Sequence, residues 1–309
     1  MKKTIRNYTP RDEEAVVEIQ KRYQEKHPTY WIRKGKLYSQ HPAFEQGKNI
    51  LMGLNKEDIP VAFSPIFPAL AQEGEKEPHH LWIDILYNPF EPEYQEINEI
   101  LYEGVLERGL ALKKTYGGHP CVFATLKMGD DLEAIEFFRS KGFEESTRLL
   151  TMRRDLNNSI PKSCNRGGFV VQEYQLDSEE IIQQYLKADG LGNPSNPMTR
   201  EKLDWNLKNP WKNALGYGIF AEGGDLLAST MTFSIEEGIT MTEEIFVVPS
   251  YQGKGLGKTL LREVLHRLKD KGVEKVELEV KNHNRPARGL YESLGYVTVK
   301  EECTLQLSL

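Results

Sequence analysis

Three glycines at alternate positions, Gly253, Gly255 and Gly257, join an apolar segment to a segment with helical periodicity. The apolar segment, residues 245–248, is typical of the end of a buried strand. After the glycines, one helical face is apolar at Leu260, Leu261, Val264, Leu265 and Leu268. Free backbone amides and the positive end of a helix dipole bind anions at such a junction. Because glycine has no Cβ to block close approach, the segment predicts a pyrophosphate-binding loop.

Two common nucleotide motifs fit this loop poorly. The dinucleotide fingerprint G-x-G-x-x-G, started at Gly253, requires glycine where the chain has Lys258. The P-loop G-x-x-x-x-G-K-[ST] matches at Gly257, Lys258 and Thr259, but its first glycine would replace Gln252. A P-loop nucleotide phosphatase is therefore disfavoured, and an ordinary glycine-rich helix cap is the alternative for the loop taken alone.

A third pattern, [QR]-x-x-G-x-[GA], is met by Gln252, Gly255 and Gly257 after a strand that ends in V-x-P. It resembles the coenzyme A loop of the GCN5-related N-acetyltransferase (GNAT) family. Residues 284–296 follow N-x-x-A-x-x-L-Y-x-x-x-G-[FY], which resembles the second signature of that family. Residues 276–280, between the two motifs, are predicted to form a strand. The resemblance covers roughly residues 216–300.

The first half of the chain repeats the pattern of the second. Six positions from Asp131 to Phe143 correspond to six positions from Asn284 to Tyr296 at a constant offset of 153. We therefore expect an α/β (α+β) fold of two tandem GNAT-like domains, each a mixed, mostly antiparallel twisted sheet flanked by helices. The predicted division is a degenerate domain at 1–156, a linker at 157–167 and a catalytic domain at 168–309.

The two copies differ where chemistry is expected. Residues 89–97, at the place of the glycine loop, contain no glycine and carry three carboxylates. Phe138 stands at the position of Tyr291 and has no hydroxyl. A diphosphate would meet like charge there instead of open amides. We expect that the first domain keeps the fold and has lost the coenzyme A loop.

The resemblance implies an acetyl-CoA-dependent N-acetyltransferase, which transfers an acetyl group to a primary amine by direct attack in a ternary complex. Acetyl-CoA is the implied cosubstrate, with no metal. The residues implied for coenzyme A binding are Phe246, Val247, Val248, Gln252, Gly253, Lys254, Gly255, Leu256, Gly257, Lys258 and Asn284. Asn284 has helix capping as its alternative role. The alternative function is a non-catalytic acyl-CoA-binding sensor or scaffold.

Tyr291 is the implied acid for the leaving thiolate, with core packing as its alternative role. Three carboxylates, Glu243, Glu244 and Glu279, compete for the role of general base. Neighbouring residues of a strand point to opposite faces. We therefore expect that only one of Glu243 and Glu244 points into the cleft.

Composition limits the partners. The net charge of −6 argues against a nucleic-acid surface, and no apolar run approaches the length of a membrane span. The three cysteines, Cys121, Cys164 and Cys303, show neither C-x-x-C nor zinc spacing, which predicts a cytoplasmic protein. The expected acceptor is a small-molecule or peptide amine, and the expected assembly is a monomer or homodimer.

Overall fold

The computed structural model describes residues 4–30, 32, 37–72, 77–162, 169–211 and 213–309. The chain divides into two compact units, Met1–Arg148 with Lys300–Leu309, and Leu149–Val299. Residues 163–167 of the predicted linker lie outside the described residues. The predicted limits of the two sequence copies, 1–156 and 168–309, stay a prediction, and the compact units have other limits.

The strands are β1 (Thr4–Asn7), β2 (Ile50–Leu54), β3 (Pro60–Ala69), β4 (His79–Ile83), β5 (Leu86–Tyr87), β6 (Cys121–Met128), β7 (Glu144–Asp155), β8 (Val171–Tyr174), β9 (Leu215–Phe220), β10 (Leu226–Glu236), β11 (Ile239–Val247), β12 (Lys275–Lys281) and β13 (Val297–Ser308). The helices are α1 (Glu13–Lys26), α2 (Leu37–Gln40), α3 (Tyr94–Tyr116), α4 (Leu132–Ser140), α5 (Glu179–Gly192), α6 (Arg200–Lys208), α7 (Leu256–Asp270) and α8 (Arg285–Ser293). Short 3-10 turns lie at Pro10–Asp12, Pro42–Gly47 and Pro249–Tyr251. Within the described residues, no helix has both the length and the hydrophobicity needed to cross a membrane.

The first unit contains a sheet in the order β1-β2-β3-β4-β6-β13, and β5 pairs with β3. β4 and β6 are parallel, whereas β13 is antiparallel to β6. Helix α3 packs on β2 and β3. Its apolar positions follow the helical period and are buried at Ile97, Leu101, Val105 and Leu112.

The second unit contains a sheet in the order β7-β12-β11-β10-β9-β8, to which β7 contributes residues 149–155. β11 and β12 are parallel, and the other neighbouring pairs in this unit are antiparallel. The predicted mixed, mostly antiparallel sheet with flanking helices is therefore confirmed. The predicted apolar face of α7 is buried at all five positions, Leu260, Leu261, Val264, Leu265 and Leu268.

The internal repeat is visible in the structure as a pair of equivalent helices. α4 and α8 have 9 residues each and begin 153 positions apart, at Leu132 and Arg285. The side chain of Asp131 accepts a hydrogen bond of 3.1 Å from the Ala134 amide, and Asn284 accepts one of 3.2 Å from the Ala287 amide. Each residue thereby satisfies an amide of the first helical turn. The capping role expected for Asn284 is confirmed.

Candidate active site

A β-bulge interrupts β11 where the candidate site begins. Met231 of β10 pairs with Glu243, and Ser229 pairs with Phe246, so β11 carries one more residue than β10 over this interval. Glu244 has a φ of 48°, in the left-handed region. A bulge leaves one residue unpaired and redirects the side chains around it.

The bulge brings both adjacent glutamates into one cavity. Glu243 and Glu244 line the same space of about 670 Å³. The expectation that only one of them points into the cleft is therefore wrong. It assumed regular strand alternation, which the bulge at Glu244 breaks.

This cavity occupies the place where β11 and β12 stop pairing. Their parallel ladder ends at Met241 and Glu277. Beyond that point, residues of both strands line the cavity, among them the exposed Glu279. Tyr291 and Asn284 line it from α8 and its cap. The structure thus brings together the three candidate bases and the candidate acid.

The carboxyl group of Glu244 is tuned toward neutral pH. Burial is the largest effect and raises its pKa to about 7, with further contributions from the negative charges of Asp189 and Glu243. The ammonium of Lys202 acts in the opposite direction. A carboxyl group with such a pKa can both accept and release a proton at physiological pH.

Glu243 is in a different environment. The indole Nε1 of Trp211 donates a hydrogen bond of 2.9 Å to Oε2 of Glu243. Trp211 is 1% exposed, and its amide donates to the carbonyl oxygen of Asn206 at the end of α6. A buried indole that is fixed in this way orients the carboxylate.

Tyr291 combines a packing role with a place on the cavity wall. The residue is 6% exposed, and its ring lies 5.9 Å from that of Tyr296. Burial raises the pKa of Tyr291 to about 12. The phenol therefore keeps its proton across the physiological range, as a general acid requires.

The glycine loop has the geometry of an anion cradle. Gly253 and Gly255 have φ values of 73° and 82°, and a Cβ at either position would meet no atom within 4 Å. Gly255 is the N-cap of α7, whose first amides have no acceptor within the helix. Lys254 and Lys258 are exposed beside them. These features fit the diphosphate of coenzyme A.

The strand that leads into the loop offers fewer amides than the sequence suggested. The Val248 amide donates to the Leu227 carbonyl oxygen at 2.9 Å, so it belongs to the sheet. Successive residues of an antiparallel strand direct their amides to opposite edges. Of the segment 246–248, Val247 is therefore the residue whose amide faces away from β10. Gln252 closes the turn by donating from Nε2 to the Val247 carbonyl oxygen at 3.0 Å.

Sequence reasoning missed Asp189, whose negative charge contributes to the raised pKa of Glu244. Asp189 is fully buried at the end of α5, and its Oδ2 accepts a hydrogen bond of 2.5 Å from the Met198 amide. Burial raises the pKa of this carboxyl group. Asp189 could have been found from its spacing from Ile182 and Tyr185, because that spacing places its carboxylate on the buried face of the helix. Across the described part of the chain, no group of His, Cys, Asp or Glu residues forms a candidate metal site.

The profile of the acetyltransferase (GNAT) family matches residues 181–296, which contain the bulge, the glycine loop and α8. This segment, residues 181–296, has the sequence of a GNAT domain. Among curated proteins, it is 29% identical over 196 residues to a mycothiol acetyltransferase from a Nocardioides species, covering 58% of this chain and 66% of that protein. It is 31% identical over 173 residues to a mycothiol acetyltransferase from Thermomonospora curvata, covering 54% and 58%. The matches therefore span less than two thirds of the length of these two relatives.

Solved structures extend the likeness to nearly the whole chain. A GCN5-related N-acetyltransferase from Sphaerobacter thermophilus aligns with a TM-score of 0.66 at 15% identity, covering 99% of this chain and 95% of that one. A tandem GNAT protein from the clavulanic acid biosynthesis pathway aligns with a TM-score of 0.58 at 13% identity, covering 99% and 98%. At these identities the likeness concerns the fold, and it supports the two-domain GNAT arrangement.

Proposed function

We propose that this protein is an N-acetyltransferase that transfers an acetyl group from acetyl-CoA to a primary amine by direct attack in a ternary complex. The observation that carries the proposal is the pairing, in one cavity, of the Glu244 carboxyl and the Tyr291 phenol, with pKa values of about 7 and about 12. One group can take a proton near neutral pH and the other can supply one. The curated relatives, named mycothiol acetyltransferase, support acetyl transfer.

In this proposal Glu244 is the general base. An amine reaches the enzyme mainly as its ammonium form, which is not a nucleophile. The Glu244 carboxylate removes this proton, directly or through one water. Its raised pKa brings the base close to the operating pH, where general base catalysis is most effective. Glu243, oriented by Trp211, holds the incoming cation by charge, and Glu279 contributes negative charge to the same cavity.

Tyr291 is the proposed general acid. Its ring packs against that of Tyr296, and the residue lines the cavity. Since the phenol remains protonated, it can donate to a leaving thiolate. The ordinary thiol pKa near 8.5 makes that donation useful at neutral pH.

Acetyl-CoA, when bound, supplies the acetyl group as a thioester with a thiolate as leaving group. The residues proposed to hold it are the Val247 amide, the side-chain-free loop at Gly253 and Gly255, and the first amides of α7. Lys254 and Lys258 add positive charge near the diphosphate. A Cβ on Gly257 would lie 3.5 Å from Leu290 and 3.6 Å from Val247, so the start of α7 packs beside α8 and β11. This contact ties the loop to the elements that carry Tyr291 and Glu244.

The acceptor is proposed to be a small-molecule amine, with a peptide amine as the second possibility. The acidic lining of the cavity favours a cation. The first unit is proposed to have lost coenzyme A binding, because carboxylates replace the glycines of the loop. A cytoplasmic location remains a prediction from the cysteine spacing.

The test is an acceptor screen in which release of free thiol from acetyl-CoA is measured. We expect amine-dependent thiol release by the wild-type chain and its loss in Glu244→Gln, with acetyl-CoA binding retained in both. A chain that binds acetyl-CoA tightly and acetylates no amine in a broad panel would instead be the non-catalytic sensor.

A further inference from the structure

The first unit contains a cavity of about 350 Å³ between the start of α3 and α4. Aromatic side chains form much of its wall, including Tyr94, Phe137 and Phe138. Three glutamates, Glu96, Glu99 and Glu133, also line it, and no lysine or arginine is among its described lining residues. The volume falls within the range of about 300–1,000 Å³ that is usual for small-molecule sites.

This cavity lies beside the segment that replaces the glycine loop in the first copy. Residues 89–97 correspond to the coenzyme A loop, and Glu96 of this segment reaches the cavity wall. A diphosphate would be repelled by these carboxylates. The same change of charge makes the cavity attractive to a cation.

Two lysines of the chain already show this preference. The Lys26 ammonium lies 2.6 Å from Oε2 of Glu133 and 5.6 Å from the centre of the Tyr94 ring. The Lys141 ammonium is bonded to Glu99 and lies 5.3 Å from the centre of the Phe137 ring. Carboxylates and aromatic faces therefore bind ammonium groups around this cavity.

The buried side-chain amide of Asn98 requires a hydrogen-bond donor on the ligand. Asn98 lines the cavity and is 6% exposed. Its Oδ1 has no hydrogen-bond partner among the described residues. Buried acceptors are normally paired, and an N–H of a ligand would supply the missing donor.

From these features we infer that the cavity of the first unit binds a small primary ammonium compound with an apolar body. The aromatic wall takes the apolar part, the ligand ammonium takes the place of Lys26 at Glu133 or of Lys141 at Glu99, and Asn98 accepts an N–H. The site is separate from the proposed catalytic cavity and does not depend on acetyl transfer.

The test is calorimetric titration of the full chain, without acetyl-CoA, using 2-phenylethylamine as the probe. Two matched compounds separate the contributions: 2-phenylethanol lacks the charge, and the trimethylammonium analogue of the probe lacks N–H donors. We expect the amine to bind about tenfold more tightly than either compound, since each loses one of the required contacts. Equal binding of the alcohol would overturn the inference.

Variants then locate the site. Asn98→Leu keeps the size of the side chain and removes the acceptor, and Glu99→Gln removes a mostly surface-accessible charge. Both should weaken the amine about tenfold, whereas Glu103→Gln, exposed elsewhere on α3, should not. Glu244→Gln should leave the binding unchanged, which distinguishes this site from the acidic cavity of the second unit. If Glu99→Gln and a folded Asn98→Leu both bind the amine like the wild type, the assignment is wrong.

Discussion

Trp211 holds Glu243 by a hydrogen bond of 2.9 Å from the indole Nε1 to the carboxylate Oε2. The adjacent Glu244 has a pKa raised to about 7, mainly by burial. The bulge at Glu244 gives both side chains access to one cavity, but their surroundings differ. One carboxylate is fixed in orientation, and the other is poised to exchange a proton. We therefore expect the two residues to have separable functions.

Glu244→Gln should lower turnover by about 10²–10⁴-fold, the usual contribution of a general base. Glutamine keeps the shape of the side chain and cannot accept the proton. Glu243→Gln is the matched control, because its amide oxygen can still accept the Trp211 hydrogen bond. That control should raise the Michaelis constant for the amine more than it lowers turnover. Both quantities are obtained from initial rates of thiol release. If Glu243→Gln loses turnover and Glu244→Gln mainly raises the Michaelis constant, the base is Glu243.

The pH dependence of kcat/KM should show the ionisation of the Glu244 carboxyl group. Its carboxyl pKa of about 7 means that the base form is the minor form below pH 7 and the major form above it. With an acceptor that remains an ammonium ion from pH 5 to 8, kcat/KM should rise about tenfold per pH unit below 7 and level off above. In Glu244→Gln this limb should be absent. A wild-type profile that is flat from pH 5.5 to 8 would contradict the assignment.

Local sequence patterns predicted the parts of the site that depend on local geometry. The glycine loop, the buried face of α7 and the capping by Asn284 follow from short-range periodicity and turn chemistry. The bulge did not follow, because nothing in the residues around Glu244 distinguishes a bulged strand from a regular one. The Trp211 to Glu243 bond joins positions 32 residues apart, and only tertiary packing brings them together.

The same limit applies to the boundaries of the compact units. Residues 300–309 belong to the first unit, where β13 pairs with β6 between Glu302 and Met128 at one end and Ser308 and Val122 at the other. Such pairing joins segments far apart in the chain. The repeat offset of 153 locates the two copies but contains no information about which sheet the final strand joins.

Tyr291→Phe should lower turnover more than it changes the Michaelis constant for acetyl-CoA. The substitution removes the proton donor and keeps the ring that packs on Tyr296. The expected loss is about 10²–10⁴-fold where chemistry limits the rate. Tyr296→Phe, which changes the neighbouring buried tyrosine in the same way, is the control and should have little effect on turnover. Wild-type turnover in Tyr291→Phe would leave Tyr291 as a packing residue.

Lys127 should be essential to the stability of the first unit. At the offset of 160 that relates Ile85 to Ile245, Asp84 corresponds to Glu244, and Lys127 forms a buried ion pair with it. In the first copy, the lysine ammonium thus neutralises the Asp84 carboxylate, which stands at the position of the proposed base Glu244. Lys127→Met strands a buried carboxylate and should cost about 3–5 kcal/mol, measured by urea unfolding. Adding Asp84→Asn to that variant should recover much of the loss, and failure to do so would argue against the ion pair as the cause.

One acetyl-CoA should bind per chain, at the glycine loop of the second unit. Calorimetry of the wild type should give a single site, because residues 89–97 offer carboxylates where residues 252–258 offer glycines. Gly255→Glu places a negative charge at the proposed diphosphate site and should abolish binding. Gly255 has a φ of 82°, so any side chain there is strained, and Gly255→Gln carries the same strain without the charge.

The two variants at Gly255 separate backbone strain from electrostatics. Both should lose a similar amount of thermal stability, whereas the glutamate variant should bind acetyl-CoA more weakly than the glutamine variant. That difference should shrink as salt is added, because exposed charges are screened over about 10 Å at 0.1 M ionic strength. Gly257→Ala, whose Cβ would make only ordinary contacts with Leu290 and Val247, should bind like the wild type. Two sites per chain in the wild type would contradict the loss of coenzyme A binding in the first copy. Full binding by Gly255→Glu would remove the glycine loop as the coenzyme A site.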